Sequence, residues 1–476
     1  MAQSEKTTVG LFGIGLDTYW PQFKGLKERL EGYQDEIAGL LQSAGEIRLV
    51  SAGLVDNPLR AQEAAILFAS SRVDIIFLYI STYALSSTVL PVIQYTKVPV
   101  IVLNIQSAAA IDYKRFNLIA DRGAMTGEWL AWCQACSVPE IASVFNRVGI
   151  DYHFVTGYLG SPKTETAIAD WVAAARAVKS MKSNKLGIMG HYYQGMLDVY
   201  TDTTKQIGTF GGEIDLIEID ELASFREAVT ESEAEAKLAE FHRAFAVAPE
   251  CEKTELLRAA RTSVALDKLV ASHSLGSLSY YYEGAEGSVH EDIITSVIAG
   301  NTLLTGRHIP VAGECEVKNA QAMKIMDCLG AGGSFSEFYA MDFDDDIVML
   351  GHDGPAHTAM AEGKVHLVPL SVYHGKPGKG LSIQMSVRHG PVTLLSVCEG
   401  NEGVFLLTAE GESVSGPVLN IGNTNSRYRF SVHADDFIEK WSREGPSHHC
   451  AIGIGHVAGL IEKTGKLMNV PVKRIC

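Results

Sequence analysis

The feature that most constrains the fold is a change in the hydrophobic pattern near Ala331. Before it, short apolar runs rich in Val and Ile, such as Ile47–Val55 and Val98–Ile105, alternate with helical segments such as Arg60–Ser70. Continuous apolar strands separated by helices predict parallel sheets covered on both faces. In such sheets, ligands bind at the carboxyl ends of the strands.

After Ala331 the chain consists mainly of strand-length runs separated by Gly-containing turns. Val392–Val397, Val404–Thr408 and Tyr428–Val432 are examples. This layout predicts an antiparallel, barrel-like arrangement. The predicted fold class is therefore α/β, with two doubly wound parallel-sheet domains followed by a mostly antiparallel, β-barrel-like C-terminal domain.

The predicted domain boundaries follow these changes in pattern. We expect an N-terminal α/β domain at 1–182, a central α/β domain at 183–325 and a C-terminal β-rich domain at 326–476. Three domains also fit a chain of 476 residues, given roughly 150 residues per domain. Within the central domain, the charged, Ala- and Glu-rich segment Ala223–Phe245 predicts one long helix.

Charge and cysteine content exclude several classes of function. The 40 Lys and Arg against 56 Asp and Glu give a net charge of −16. Because no run of basic residues exceeds two, we expect neither nucleic-acid nor basic membrane-surface binding. We also expect no membrane span, since no apolar stretch reaches about 18 residues. The polar start and the sparse cysteines predict a cytoplasmic protein.

One CxxC pair, Cys133 and Cys136, lies in the helical-looking stretch Trp129–Cys136. The sequence offers no second pair to complete a zinc site. The favoured interpretation is therefore that the two cysteines simply lie one turn apart on a helix.

Five polar residues in the last third of the chain are candidates for a functional site: Glu314, Glu337, His352, His448 and His449. Each alone has an ordinary explanation, such as a helix cap or a packed histidine. Together they lie in or beside Gly-containing loops next to apolar runs, a placement that presents polar groups at the mouth of a site. Two carboxylates plus imidazoles suit a divalent ion of the Mn²⁺ kind.

Glu314 has a further local feature. It lies at or just before the start of a predicted amphipathic helix that carries Val317, Met323 and Leu329. The positive end of a helix dipole favours an ionised carboxylate at such a position.

The order of four short motifs resembles the L-arabinose isomerase family, within the wider L-fucose/L-arabinose isomerase-like group. The motifs are Ala-Gly-Glu at 312–314, Ser-Phe-x-Glu at 334–337, Leu-Gly-His at 350–352 and His-His at 448–449. The similarity continues through 314–320 and 154–157, and it extends loosely over residues 150 to 460.

The resemblance implies a metal-dependent aldose–ketose isomerase. It assigns Mn²⁺, or another divalent cation, to Glu314, Glu337, His352 and His449, and proton transfer through a cis-enediol to the two glutamates. The implied substrate is an aldopentose or aldohexose, as in L-arabinose/L-ribulose or D-galactose/D-tagatose conversion. The implied assembly is a homohexamer with active sites between subunits.

Three further residues are predicted to contact the sugar: His448, Met196 and Tyr282, the last in an aromatic run at 280–282. Core packing is the alternative for Met196 and Tyr282, and a structural role is the alternative for His448. Two N-terminal segments, 13–20 and 121–124, depart from those of the family that line the sugar pocket. Two other functions stay open: a non-catalytic sugar-binding or regulatory protein on the same fold, and a related metal-dependent sugar epimerase or aldolase.

Overall fold

The computed structural model describes residues 6–281, 283–370 and 378–476. The described chain divides into two compact units, residues 6–179 and 180–476. The sequence-based division into three domains is finer and stays a prediction. Among the described residues, no helix is both long enough and apolar enough to cross a bilayer.

The N-terminal unit is built on one parallel sheet of five strands in the order β2-β1-β3-β4-β5. Its strands are β1 Thr7–Ile14, β2 Ile47–Val55, β3 Ile75–Tyr79, β4 Val100–Gln106 and β5 Tyr152–Tyr158. Its helices are α1 Leu26–Ser43, α2 Pro58–Ser70, α3 Ser86–Thr96, α4 Tyr113–Asn117, α5 Arg122–Leu130, α6 Gln134–Val148 and α7 Pro162–Lys182, the last of which ends in the second unit.

Local sequence explains these elements. Both β1 and β3 are buried along their whole length, as the continuous apolar runs predict for a sheet covered on both faces. Helix α2 begins where the side chain of Asn57 accepts from the Arg60 N–H and Pro58 occupies the first turn, a favourable combination for a helix start.

The second unit begins with a parallel sheet in the order β10-β9-β6-β7. Its strands are β6 Lys185–Met189, β7 Glu213–Ile217, β9 Ser277–Tyr280 and β10 Val311–Ala312; the short β8 Ala246–Val247 belongs to a separate sheet. The helices of this part are α8 Thr203–Phe210, α9 Ile219–Glu227, α10 Glu231–Ala244, α11 Lys253–His273, α12 Val289–Ile294, α13 Ile298–Gly306 and α14 Val317–Cys328.

The single long helix predicted over Ala223–Phe245 is wrong. The chain forms α9 and α10 instead, because Thr230 makes a capping box with Glu233 that starts a new helix. Such a box satisfies two backbone N–H groups that would otherwise lack partners at the start of α10.

The C-terminal part of this unit is a closed barrel of six antiparallel strands in the order β15-β18-β11-β12-β17-β16, where β16 pairs back to β15. Its strands are β11 Gly332–Asp342, β12 Ile347–His352, β15 Gly390–Gly400, β16 Gly403–Val414, β17 Thr424–Phe430 and β18 His449–Ile454. Strand β13 His366–Leu370 pairs with β8 on one side and with β14 Gly380–Gln384 on the other, and β19 Val472–Arg474 adds to β16. Helices α15 Ala434–Arg443 and α16 Ala458–Met468 complete it. The predicted fold class is confirmed.

Helix α14 differs from the expectation. It was predicted to be amphipathic, but Val317 through Met326 are all buried, including Lys318 and Lys324. The two lysines bond with backbone carbonyls, those of Asp198 and His308 respectively. A helix that is buried all round lies in the interior of a large domain, and α14 packs against both the parallel sheet and the barrel.

Phe437 packs in the hydrophobic core beside the barrel strands, and its burial gives a prediction about stability. Its ring is fully buried and stacks on Phe430 with 3.7 Å between centroids. Phe437→Ala is expected to lower the free energy of unfolding of this unit by about 3–5 kcal/mol, because it removes a buried ring and leaves a cavity. Denaturant titration measures the loss. The matched change Phe343→Ala, at a ring 67% exposed, should cost less than about 0.5 kcal/mol.

Candidate metal centre

Glu314 is positioned by the carboxyl edge of the parallel sheet. Strand β10 ends at Ala312, and the chain then turns so that the Cys315 N–H donates to the carbonyl of Tyr280, the last residue of β9. The Cys315 thiol lies against the carbonyl of Met189, the last residue of β6. The glutamate therefore lies where parallel sheets place their ligands.

The turn itself is strained. Glu314 and Cys315 both have φ of 58°, a left-handed conformation that is uncommon for residues other than glycine. Strained backbone of this kind persists where the surrounding structure enforces it, and it is concentrated at functional sites. Here the bonds to the ends of β6 and β9 hold the turn.

Gly313 is required by the close approach of an aromatic ring. A Cβ at this position would come within 2.9 Å of Phe335. The Phe335 ring in turn contacts the imidazoles of His352 and His449, with centroid separations of 4.3 and 4.4 Å. The glycine thus lets one buried ring support both histidines.

The barrel contributes the remaining candidates through strand register. On β11, Glu337 pairs with Gly351 of β12 on one side and with His449 of β18 on the other. Residues opposite each other on neighbouring strands are close in space. Three consecutive barrel strands therefore bring Glu337, His449 and the Gly351–His352 segment together.

The structure brings all five polar candidates into two overlapping groups. In one, ligand atoms of Glu314, His352 and His449 lie within 4.8 Å of one another; in the other, those of Glu337, His448 and His449 do so. His449 is common to both. The four proposed metal ligands are thus divided between two groups that His449 links.

His449 is oriented by a buried carboxylate that the sequence analysis did not single out. Its Nδ1 lies 2.5 Å from Glu316 Oε2, and both side chains are almost fully buried. Burial raises the pKa of Glu316 to about 7. In its ionised form Glu316 can only accept, so the bond then assigns the proton to Nδ1 and leaves the Nε2 lone pair free. Nε2 faces Glu314 Oε2 at 3.6 Å. A carboxylate behind an imidazole is the usual support of a metal-binding histidine.

His448 is held by Asp198, which also escaped the sequence analysis. Asp198 Oδ2 accepts from the His448 backbone N–H at 3.0 Å and lies 2.6 Å from its Nδ1. The other ring nitrogen lies 3.4 Å from Glu314 Oε2. Burial lowers the pKa of His448, but bonds to Glu314 and Asp198 outweigh it and raise the pKa to about 9. His448 is therefore a cation at neutral pH.

The two glutamates have contrasting environments. Burial raises the pKa of Glu314, but the bond with His448 and the charges of the neighbouring imidazoles lower it to about 2. Burial raises the pKa of Glu337, and the charge of Glu314 adds to that effect. Glu314 is thus held as a carboxylate, whereas Glu337 takes up a proton more readily than an exposed glutamate does.

The pKa values of two buried histidines are also shifted in opposite directions. Burial, followed by the charges of His352 and His448, lowers the pKa of His449 well below its usual value, so that its ring is neutral. For His352, burial lowers the pKa, but the bond to Asp353 and the nearby glutamates raise it overall. Its Nδ1 lies 3.2 Å from Asp353 Oδ1.

The donor set fits a divalent cation. Buried His449 Nε2 has no hydrogen-bond partner among the described residues, a costly arrangement for a polar atom unless another group satisfies it. Carboxylate oxygens with imidazole nitrogens are the mixed donors that Mn²⁺ and similar ions accept. The residues present therefore suit such an ion, and their assignment as ligands stays a prediction.

Of the other two residues predicted to contact the sugar, Met196 and Tyr282, only Met196 is described by the structure. Met196 lies in the loop after β6, two residues before Asp198, and its contact with a sugar stays a prediction. Tyr282 lies outside the described residues. Its neighbour Tyr281 is buried, with its hydroxyl donating to Glu283 at 3.0 Å.

Glu316 and Asp198, which the sequence-based prediction missed, differ in how readily the sequence could have revealed them. Glu316 lies within the same short segment as Glu314, so its spacing could have suggested a supporting carboxylate. Asp198 gave no signal, because it is 250 residues from His448 in the chain.

The fold and this site define an α/β protein in which a parallel sheet and an antiparallel barrel jointly enclose a carboxylate–imidazole centre. No family model matches the chain. Comparison with curated proteins finds a sulfoquinovose isomerase from Alkalicoccus urumqiensis, 21% identical over 68% of this chain and 72% of the relative.

Two L-arabinose isomerases also match. That of a Nocardioides species is 22% identical over 68% of this chain and 67% of its own length, and that of Bacillus subtilis is 20% identical over 66% and 64%. The comparisons confirm the resemblance seen in the motifs, and they make the chain a distant relative of the L-arabinose isomerase family.

Proposed function

We propose that the protein is a metal-dependent aldose–ketose isomerase. The observation that carries the proposal is that Glu314 and His352 form one group of candidate ligands with His449 and that Glu337 belongs to a second group with the same histidine, in a chain whose relatives are named as sugar isomerases. The proposed cofactor is Mn²⁺ or another divalent cation. The proposed substrate is an aldopentose or aldohexose, with L-arabinose and D-galactose as the first candidates.

The chain's own side chains can perform the proton transfers of such a reaction. Isomerisation moves a proton between C1 and C2 of the sugar, and a carboxylate beside these carbons can take it up and return it through a cis-enediol. Glu337 has the raised pKa that this role favours, and the ionised Glu314 provides the second carboxylate. The cation, when bound, would supply positive charge that stabilises the enediolate oxygens.

His448 has a supporting part in this proposal. Asp198 holds Nδ1 of the charged ring, so the donor for a sugar hydroxyl or oxygen is Nε2–H, which faces Glu314 Oε2 at 3.4 Å and would be shared with the sugar. A donor fixed in place before the substrate binds costs little reorganisation during the reaction.

Glu316 provides a prediction specific to the metal. Glu316→Gln is expected to weaken Mn²⁺ binding about 10- to 100-fold, because the carboxylate behind a ligating histidine orients it and raises its basicity. Competition with a fluorescent chelator measures the affinity without reference to turnover. The matched change Glu439→Gln, at an exposed position on α15, should leave the affinity unchanged. Equal Mn²⁺ affinities for the two variants would contradict a role of Glu316 in supporting the metal ligands.

A product screen tests the proposed function. The Mn²⁺-loaded protein is incubated with neutral aldopentoses and aldohexoses and with sulfoquinovose, and the products are identified by chromatography. We expect a ketose from at least one sugar and, in D₂O, deuterium in the product. A bound but unconverted sugar would support a binding or regulatory protein, and an epimer or a cleaved chain would support the epimerase or aldolase alternative. Product without deuterium would replace the enediol route by a hydride shift.

Two further parts of the proposal concern the setting of the enzyme. We infer a homo-oligomer, a hexamer by the family resemblance, that acts in the cytoplasm. Size-exclusion chromatography with light scattering tests the assembly.

A further inference from the structure

The Cys133–Cys136 pair in the N-terminal unit is not used by the proposed isomerase site. The Cys133 thiol donates to Cys136 Sγ at 2.8 Å, while the sulfur atoms of a disulfide are about 2.05 Å apart. The two thiols therefore need only a small movement to bond. We propose that Cys133 and Cys136 form a redox-active pair that closes a reversible intramolecular disulfide by exchange with a low-molecular-weight disulfide such as glutathione disulfide.

The two cysteines have different access to solvent, which sets the order of reaction. All eight cysteines of the chain are described, and Cys136 is the exposed one among them, whereas Cys133 is buried. Cys136 lies in the first turn of α6, a helix of 15 residues. Cys136 is thus the attacking group and Cys133 the resolving group.

The exchange balances in two steps. The Cys136 thiolate attacks glutathione disulfide, forming a mixed disulfide and releasing one glutathione thiolate. Cys133 then loses its proton to solvent and attacks Cys136 Sγ, which displaces the second glutathione thiolate. One protein dithiol is oxidised and one glutathione disulfide is reduced to two thiols.

The resolving step becomes easier once the first has occurred. Burial, and next the bond and charge of Cys136, raise the pKa of Cys133 to about 12. The mixed disulfide removes the thiolate charge from Cys136, so that one of the causes holding the Cys133 proton disappears.

The surrounding structure holds the pair in place without depending on its thiols. The buried side chain of Gln134 donates to the carbonyl of Ser81, and Ser137 Oγ accepts from the Ala84 N–H. These bonds fix the first turn of α6 to the segment after β3. Cys133 caps the helix without a side-chain hydrogen bond. Closing the disulfide therefore breaks no capping bond.

Peptide mapping of the whole protein provides the test. The protein is equilibrated with glutathione buffers of increasing disulfide content, quenched with acid and alkylated. One tryptic peptide, residues 123–147, contains both cysteines. We expect this peptide to lose two hydrogen atoms as the buffer becomes oxidising and to regain them with dithiothreitol. A pair that stays alkylated in every buffer overturns the proposal, as does zinc retained stoichiometrically by the reduced pair.

Two variants test the order of attack. Cys133→Ser should accumulate a glutathione adduct on Cys136, because no resolving thiol remains. Cys136→Ser should stay free of the adduct, because Cys133 is buried. The control Cys328→Ser, outside the pair, should form the 133–136 disulfide like the native protein. An adduct on Cys136→Ser in place of Cys133→Ser would contradict the assignment of the attacking group.

Discussion

Replacing Glu337 with glutamine is expected to lower the rate of aldose–ketose isomerisation about 10²- to 10⁴-fold, because an amide can neither accept nor release the proton that moves between C1 and C2. The side chain is isosteric, so the register of β11 with β12 and β18 should persist. Ketose formation is measured at saturating sugar and saturating Mn²⁺. The metal content of the variant is measured in parallel, so that a slower reaction is not confused with a lost ion.

The control is again Glu439→Gln, an identical chemical change on the exposed face of α15. It should retain the native rate within about twofold, since surface changes away from functional groups have small effects. A metal-loaded Glu337→Gln protein that isomerises the sugar at the native rate would contradict the assignment of Glu337 as a proton carrier. Glu314→Gln, tested in the same way, should also be inactive.

Removal of divalent cations is expected to abolish turnover, and Mn²⁺ should restore it. The reason is that the positive charge of His448 already lies between the carboxylates of Glu314 and Asp198, so a bound cation would be needed to stabilise a negatively charged enediolate. The protein is dialysed against a chelator, assayed, and assayed again with added metal. The unfolding midpoint should fall on removal, because an ion that binds only the folded state at 100 times its Kd contributes about 2.7 kcal/mol.

Chelator already saturated with Mn²⁺ is the control, and it should leave both turnover and the unfolding midpoint unchanged. Undiminished conversion by a protein shown to be metal-free would contradict the metal requirement. His449→Ala should resemble the metal-free protein even with Mn²⁺ present, because His449 belongs to both groups of candidate ligands.

Local pattern was sufficient for much of the fold. The predicted strand Ile47–Val55 is the observed β2, and the alternation of strands and helices led to the two parallel sheets. It failed where a short capping motif interrupted a helical composition, at Thr230. It also failed for α14, because the polar residues of that helix find buried partners that composition does not reveal.

The candidate site divides in the same way. Glu314, Glu337, His352 and the His448–His449 pair were identified from their residue types, loop positions and motif order. The support behind them was not, because Glu316 lies among ordinary helix-start residues and Asp198 belongs to a loop 250 residues away. Asp198 helps to keep His448 charged, whereas Glu316 orients the ring of His449.

The sequence by itself determined the alternation of strands and helices and which side chains could take part in metal and proton chemistry, since periodicity and residue type are local properties. Only the tertiary structure decided how those side chains meet. Pairing of β11 with β18 sets Glu337 beside His449, and the edge of the parallel sheet holds Glu314 opposite them in a left-handed turn. Burial at that junction raises the pKa of both glutamates, and the bond with His448 together with the imidazole charges outweighs burial at Glu314 but not at Glu337.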